Sequence, residues 1–345
     1  MLVAALAVAA AGLALAAFAP AAAHAATPAP VLLAQASASP TPSLLTQPAT
    51  GAPSTLSPSG GSEAKTQLSL LDAFALGIVE GVTEYLPISS TAHLLVTEKA
   101  LGLNDTKAEK DAADSYAIVI QFGAILAVLV LYWRRFWDML RGIAGRDPRG
   151  RHLAWVLLLS FIPAVILGYI GEKYIKDYLF AMWPIIAAWI VGGIVILVVA
   201  RHDVRTDHKP DQGLVLHGLT PKKAIAIGLL QCVAMWPGVS RSLATILGGR
   251  LVGLSTTAAV EFSFLLGFVT LTAASVFEVI KNGSDIVNTL GVAAPIVGVV
   301  VAFIAAAIAI KWMVGYLQRH TLALFGWYRI AVGIVCAVLV LTGVL

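Results

Sequence analysis

From Leu68 to the C-terminus the chain is a succession of apolar segments parted by short polar loops, and the segment lengths constrain the fold more than any other feature. The segments run over 68–83, 88–101, 115–133, 153–171, 183–200, 223–236, 240–253, 256–280, 291–311 and 324–344. A helix rising about 1.5 Å per residue needs about 20 residues to cross about 30 Å of hydrocarbon. Four of the segments are too short for that, and they form two pairs. Each pair is broken by a proline and a polar cluster, at Leu86-Pro87-Ile88-Ser89-Ser90 and at Pro237-Gly238-Val239-Ser240-Arg241-Ser242. The expected fold is an all-α polytopic membrane protein with six transmembrane helices plus two re-entrant helical hairpins.

Charge supports this class. Only 12% of the 345 residues are charged and 59% are hydrophobic, whereas soluble domains carry about 25% charged residues. A soluble enzyme, a nucleic-acid binder and a disordered chain are excluded together. The net charge of +4 reflects loop arginines, and Cys232 and Cys336 lie inside apolar segments, where they read as small buried hydrophobes. Residues 1–62 contain no Asp, Glu, Lys or Arg. Residues 1–26 resemble a secretory signal peptide, 27–65 form a Pro/Ala/Ser-rich linker expected to be disordered, and 66–345 form the membrane domain. The loop 134–152 carries six arginines, and the stretch after Ala200 carries Arg201, Arg205, Lys209, Lys222 and Lys223. Both are expected on the cytoplasmic side. The first hairpin then enters from outside and the second from inside. Leu76-Gly77-Ile78-Val79-Glu80 resembles Ile227-Gly228-Leu229-Leu230-Gln231, and each is followed by an aromatic, a proline and hydroxyl residues. With a one-residue gap, this predicts an inverted repeat whose tips meet near the bilayer midplane.

Ionisable residues at membrane depth are costly and so mark function. Glu80 and Glu84 are spaced i, i+4 and share a helix face. Two carboxylates in low dielectric repel, and a divalent metal shared with an anionic substrate relieves that repulsion. Ser89, Ser90, Thr91 and His93 follow Pro87 at a half-helix start, where free N–H groups bind anions. Ser90 and His93, i and i+3, are candidates for a nucleophile and its base. In the second hairpin Ser240, Arg241, Ser242 and Thr245 repeat the design, with Arg241 as a fork for phosphate oxygens. Gln121 lies mid-membrane and bonds either the site or another helix. Glu261 is expected as a water-facing carboxylate at a helix start, and Tyr132, Trp133 and Trp137 as an interfacial belt.

The stretch Glu80 to His93, Pro237 to Ser242 and Glu261-Phe262-Ser263-Phe264-Leu265-Leu266 closely resemble the signatures of the bacterial undecaprenyl-diphosphate phosphatase family linked to bacitracin resistance. The resemblance covers roughly 68–345. It implies hydrolysis of undecaprenyl diphosphate to the monophosphate carrier of peptidoglycan synthesis, at the outer face of the plasma (inner) membrane, with Mg²⁺ or Ca²⁺. By motif position Glu80 and Glu84 are the acidic, metal-holding pair, Ser90 and His93 the hydroxyl and imidazole, and Arg241 the phosphate clamp. Ser90, His93 and water all stay open as nucleophile. The chain has Ala92 and Leu243 where the family usually has Gly, which adds bulk expected beside the phosphate site. The implied partners are the lipid substrate and the bilayer, with no nucleic acid; a homodimer is left open. The competing reading is a polyprenyl-phosphate flippase using the same headgroup site, since inverted repeats with broken helices are a transporter design.

Overall fold

The computed structural model describes residues 68–344, apart from 105, 206–208 and 291–292. The signal-peptide-like segment 1–26 and the linker 27–65 lie outside the described residues.

Eleven α-helices and no strand are present among the described residues. They are α1 Leu70–Thr83, α2 Ser90–Ala100, α3 Lys107–Leu131, α4 Trp133–Ile143, α5 Pro148–Leu179, α6 Met182–Arg205, α7 Pro221–Gln231, α8 Arg241–Leu251, α9 Thr256–Leu290, α10 Ala293–Leu317 and α11 Ala323–Leu341. Six of them are long and apolar enough to cross a membrane: α3, α5, α6, α9, α10 and α11. The chain is a multi-pass membrane protein. Helix starts follow local chemistry. Ser69 caps α1, Thr106 and Glu109 form a capping box on α3, and Asp147 and Thr220 cap α5 and α7, each followed by proline. Helix α4 was not foreseen. Its sequence WRRFWDMLRGI buries Phe136, Met139 and Leu140 while Trp133 and Trp137 stay exposed. Trp133 and Trp137 of the expected belt therefore sit on an amphipathic helix beside the arginines, whereas Tyr132 precedes that helix and packs on Phe264 at the core.

The spans are patterned inside out. On α10, Ile296, Val300, Ile304 and Ile308 are exposed at every fourth position, while Gly298, Ala302, Ala306 and Met313 are buried. Small residues inside let backbones approach closely. A Cβ on Gly81 would stand 2.4 Å from the Ala302 carbonyl oxygen, and one on Gly123 2.3 Å from that of Val299. Helices α1 and α3 therefore close tightly on α10. The first part of helix α9 is buried on every face, through Phe262, Phe264, Leu265, Leu266 and Phe268, and forms the centre of the bundle.

The short helices form two hairpins, α1–α2 and α7–α8. The first packs on α10 and the second on α5, the exchange of neighbours a two-fold repeat requires. The repeat is sharper in backbone than in sequence. Two non-glycine residues have positive φ among those described, Ser89 at 76° and Ser240 at 77°, and each stands directly before the second helix of its hairpin. The separation of Ser89 from Ser240 equals that of Glu80 from Gln231, Tyr85 from Trp236 and Gly77 from Gly228. Aligned on the strained serines, the repeat needs no gap. The expected one-residue gap came from matching the two prolines, which are themselves out of register.

Candidate active site

The two hairpin tips touch. Ser242 Oγ donates to the Leu86 carbonyl at 2.8 Å and shares a 2.9 Å hydrogen bond with Ser240 Oγ. Behind the tips lies Arg329 of α11, with 0% exposure and no carboxylate partner among the described residues. All five of its N–H donors go to backbone carbonyls. Nη1 reaches Pro87 at 3.2 Å and Val239 at 3.1 Å, Nη2 reaches Gly238 at 2.7 Å and Ala188 at 2.8 Å, and Nε reaches Trp189 at 3.4 Å. One guanidinium thus holds both turns. Gly192 makes room for it, since a Cβ there would lie 2.2 Å from Nη2. The sequence carried a signal for this residue, a lone arginine inside the apolar segment 324–344, and its role as the common anchor was missed.

In front of the tips is a polar cavity of about 200 Å³. Its walls include Glu84, Ser89, Ser90, Thr91, Gln121, Ser240 and Arg241, so seven of the expected residues are brought together. Glu84 is the centre of the network. Its Oε2 accepts from Ser90 Oγ, and its Oε1 accepts from Arg241 Nη2 at 2.9 Å. Arg241 is braced further by the Ser263 carbonyl at 2.9 Å and by the Tyr85 ring, whose centroid lies 5.1 Å from Cζ. Gly267 leaves the space it occupies: a Cβ there would stand 1.9 Å from Nη1. Gln121 accepts from Ser275 Oγ at 2.9 Å, so its amide nitrogen is the end turned to other partners. The Ser89 side chain makes no capping bond to α2. The first N–H groups of α2 are therefore not paired by a side-chain cap, and Ser89, Ser90 and Thr91 at that start line the cavity, an arrangement able to accept an anion.

Five expected residues sit elsewhere. His93 does not pair with Ser90. Its Nδ1 lies 2.6 Å from the Ser89 carbonyl, and because a carbonyl only accepts, Nδ1 carries a proton. Its Nε2 lies 2.9 Å from the Tyr328 hydroxyl, with the two rings stacked. The expected Ser90–His93 dyad is thus replaced by Ser90–Glu84, and His93 clamps the strained Ser89 turn. Spacing i, i+3 put the two on one helix face but did not fix which side chain bends back to which partner. Ser242 and Thr245 are fully buried and bond protein groups, Ser242 the Leu86 carbonyl and Thr245 the Ser263 hydroxyl at 2.6 Å. Neither is among the cavity walls. Glu80 is 1% exposed, and its Oε1 has no hydrogen-bond partner. Glu261 is only partly open to water and is ion-paired. It takes both Nε and Nη2 of Arg135, at 2.5 and 3.4 Å, and this hydrogen bonding pushes the Arg135 guanidinium further above its ordinary value.

Residues 73–335 match the family described as Bacitracin resistance protein BacA. The chain belongs to that family. It is 46% identical over 264 residues to an undecaprenyl-diphosphatase of Sorangium cellulosum, covering 76% of this chain and 83% of that protein. It is 44% identical over 269 residues to undecaprenyl-diphosphatase 2 of Rhodospirillum rubrum, covering 77% and 93%. It is 41% identical over 274 residues to an undecaprenyl-diphosphatase of Cereibacter sphaeroides, covering 79% and 97%. The two departures from the usual family pattern do not crowd the cavity. Ala92 is buried against Ile185, Ile186 and Trp189, and Leu243 is buried in the main core. Neither is among the walls of the site.

A second, apolar crevice of about 470 Å³ adjoins the polar cavity. It lies between α5 and α9, with Phe161, Val165, Gly168 and Tyr169 on one side and Ala274 and Phe277 on the other. Ala234, Arg241 and Leu271 line both spaces.

Proposed function

We propose that the chain is an integral-membrane phosphatase that hydrolyses undecaprenyl diphosphate to undecaprenyl phosphate and inorganic phosphate, recycling the carrier for peptidoglycan synthesis and conferring bacitracin resistance. The observation that carries this reading is the Ser90–Glu84–Arg241 chain in a cavity that also opens onto a helix start. A hydroxyl with a carboxylate acceptor is an activated nucleophile, and a guanidinium with free N–H groups is a clamp for a transferring phosphoryl group. The apolar crevice suits the polyprenyl tail. Both hairpins are re-entrant in this reading, at about 21 Å for the 14 residues of α1 and about 16 Å for each 11-residue limb. The crevice extends toward the ends of α5 and α9 remote from the arginine-rich loop, in keeping with entry from the outer leaflet of the plasma membrane.

Ser90 Oγ attacks the terminal phosphorus, the bond to the lipid-linked phosphate breaks, and Glu84 passes the Ser90 proton to the departing oxygen. Water then cleaves the phosphoserine, restoring the hydroxyl and releasing phosphate. Arg241 and the α2 N–H groups hold the charge that develops. The residues fit a hard divalent cation, Mg²⁺ or Ca²⁺: the orphaned Glu80 Oε1 needs a partner, and the donors nearby are oxygens. Glu80 and Glu84 would hold it, and it would neutralise diphosphate charge. Among the described residues no three His, Cys, Asp or Glu gather as ligands, so water and substrate oxygens would complete its shell.

Purified protein in detergent is expected to release phosphate from undecaprenyl diphosphate in a metal-dependent manner, and an acid quench to trap phosphate on Ser90. Release without an adduct would make water the nucleophile. Absence of release, with lipid movement in liposomes, would replace hydrolysis by transport.

A further inference from the structure

We infer that Gln231 binds the phosphate that stays on the lipid, and so sets affinity for substrate and product alike. The inference rests on the diphosphatase reading of the same site. Gln231 closes α7 and is 3% exposed, yet neither Nε2 nor Oε1 has a hydrogen-bond partner. An amide left bare in an apolar wall is costly. It lines the crevice together with Arg241, whose Nε is likewise buried without a partner. Two residues that each carry a buried, unpaired N–H donor therefore line one space, which meets the polar cavity through Ala234, Arg241 and Leu271.

The substrate has one group that must lie at such a junction. Its terminal phosphate belongs with Ser90, Glu84 and the α2 start, and its isoprenoid chain belongs with Phe161, Val165 and Phe277. Between them comes the phosphate esterified to the lipid, an anion with non-bridging oxygens to accept from Gln231 Nε2 and Arg241 Nε. The repeat adds a reason for the residue type. Gln231 occupies the position that Glu80 holds in the first hairpin. A carboxylate there would face the lipid phosphate with like charge, whereas the amide is neutral and donates.

That phosphate is present in substrate, transition state and product. A residue that binds it contributes uniformly, and its loss raises KM while leaving kcat in place. The test uses Gln231→Met, which keeps length and apolar packing, with Gln231→Glu as a second variant. For Gln231→Met the KM for undecaprenyl diphosphate and the inhibition constant of undecaprenyl monophosphate are expected to rise together by about ten- to a hundredfold. The kcat should stay within about twofold, and the inhibition constant of inorganic phosphate, which needs only the polar cavity, should not move. Gln231→Glu should raise KM further. A fall in kcat at constant KM, or a parallel change for inorganic phosphate, would overturn the assignment. If the wild-type protein itself releases no phosphate, the diphosphatase reading fails instead, so the two failures are told apart.

Discussion

Arg329 is the residue on which the meeting of the two tips depends, and its removal has a calculable cost. Leucine in its place strips five hydrogen bonds. The Ala188 and Trp189 carbonyls lie within α6 and keep helical partners. The Pro87, Gly238 and Val239 carbonyls belong to the turns, and a buried acceptor left bare costs about 1–3 kcal/mol. Three of them amount to roughly 3–9 kcal/mol, against a total stability of about 5–15 kcal/mol for a folded domain. Lysine retains the charge but has three donors and no fork. It gives up at least two charge-assisted bonds, about 3 kcal/mol or more. The expected order of thermal midpoints in detergent is wild type, Arg329→Lys, then Arg329→Leu, with turnover falling in the same order because Ser89 and Ser240 lose their backing. Gly192→Ala should reproduce the lysine phenotype, since its Cβ would collide with Nη2. Combined with Arg329→Lys it should add less than its separate cost, because both act on one contact. An Arg329→Leu protein with wild-type midpoint and turnover would refute the anchoring role, and strict additivity with Gly192→Ala would refute the shared contact.

Further outcomes follow from the same geometry. Gly267→Ala should displace Arg241 and lower kcat by about 10²–10³ while circular dichroism stays unchanged; normal turnover would mean that Arg241 works from another position. Glu84→Gln removes the acceptor of Ser90 and the partner of Arg241, and kcat is expected to fall by about 10²–10⁴; single-turnover rates near wild type would eliminate Glu84 as the proton acceptor. Arg135→Ala breaks a partly exposed pair with Glu261 at the far end of α9 from the crevice rim. Denaturation should show a loss under about 1 kcal/mol, and a large drop in phosphate release would tie that pair to the site.

The hairpins were legible because a length deficit is a physical quantity: fourteen apolar residues cannot span a bilayer, whatever their order. Glu84 and Arg241 were legible because charge at membrane depth has few innocent explanations. Helix α4 was hidden by its arginines, which read as a loop although every third or fourth residue is apolar. The same rule of cost applies to Arg329, but its partners are backbone carbonyls of distant turns, which no pattern around a lone arginine in a span can name. The Ser90–Glu84 bond was illegible in principle. Sequence spacing places side chains on a helix face, but Ser90 reaches back across a turn whose geometry depends on a positive φ at Ser89. The crevice was equally invisible, because it arises where α5 and α9 part, and no local pattern in either helix states how closely they approach.

A two-fold repeat poses a difficulty for catalysis, because identical halves supply identical charges. Two copies of the first hairpin would place four carboxylates around a phosphate and repel it; two copies of the second would leave paired guanidiniums without a nucleophile. The structure keeps the backbone of the repeat, down to the same strained φ before each second helix, and varies what that backbone presents. The residue after the strained turn is Ser90 in one half and Arg241 in the other, and the buried residue nine positions before the turn is Glu80 or Gln231. Strain at Ser89 and Ser240 costs about 1–3 kcal/mol each, and Arg329 and His93 offset it by holding the carbonyls around both turns. The repeat thus supplies two rigid platforms, and divergence at equivalent positions makes them complementary: an acid-backed hydroxyl on one and a cation with an amide on the other. The same division breaks the symmetry of the packing: α3 closes on α10 through Gly123, whereas the equivalent pair, α9 and α5, parts to form the crevice. On the diphosphatase reading, the crevice between α5 and α9 is the side that takes the lipid tail, so the orientation of the substrate follows from where those two helices part.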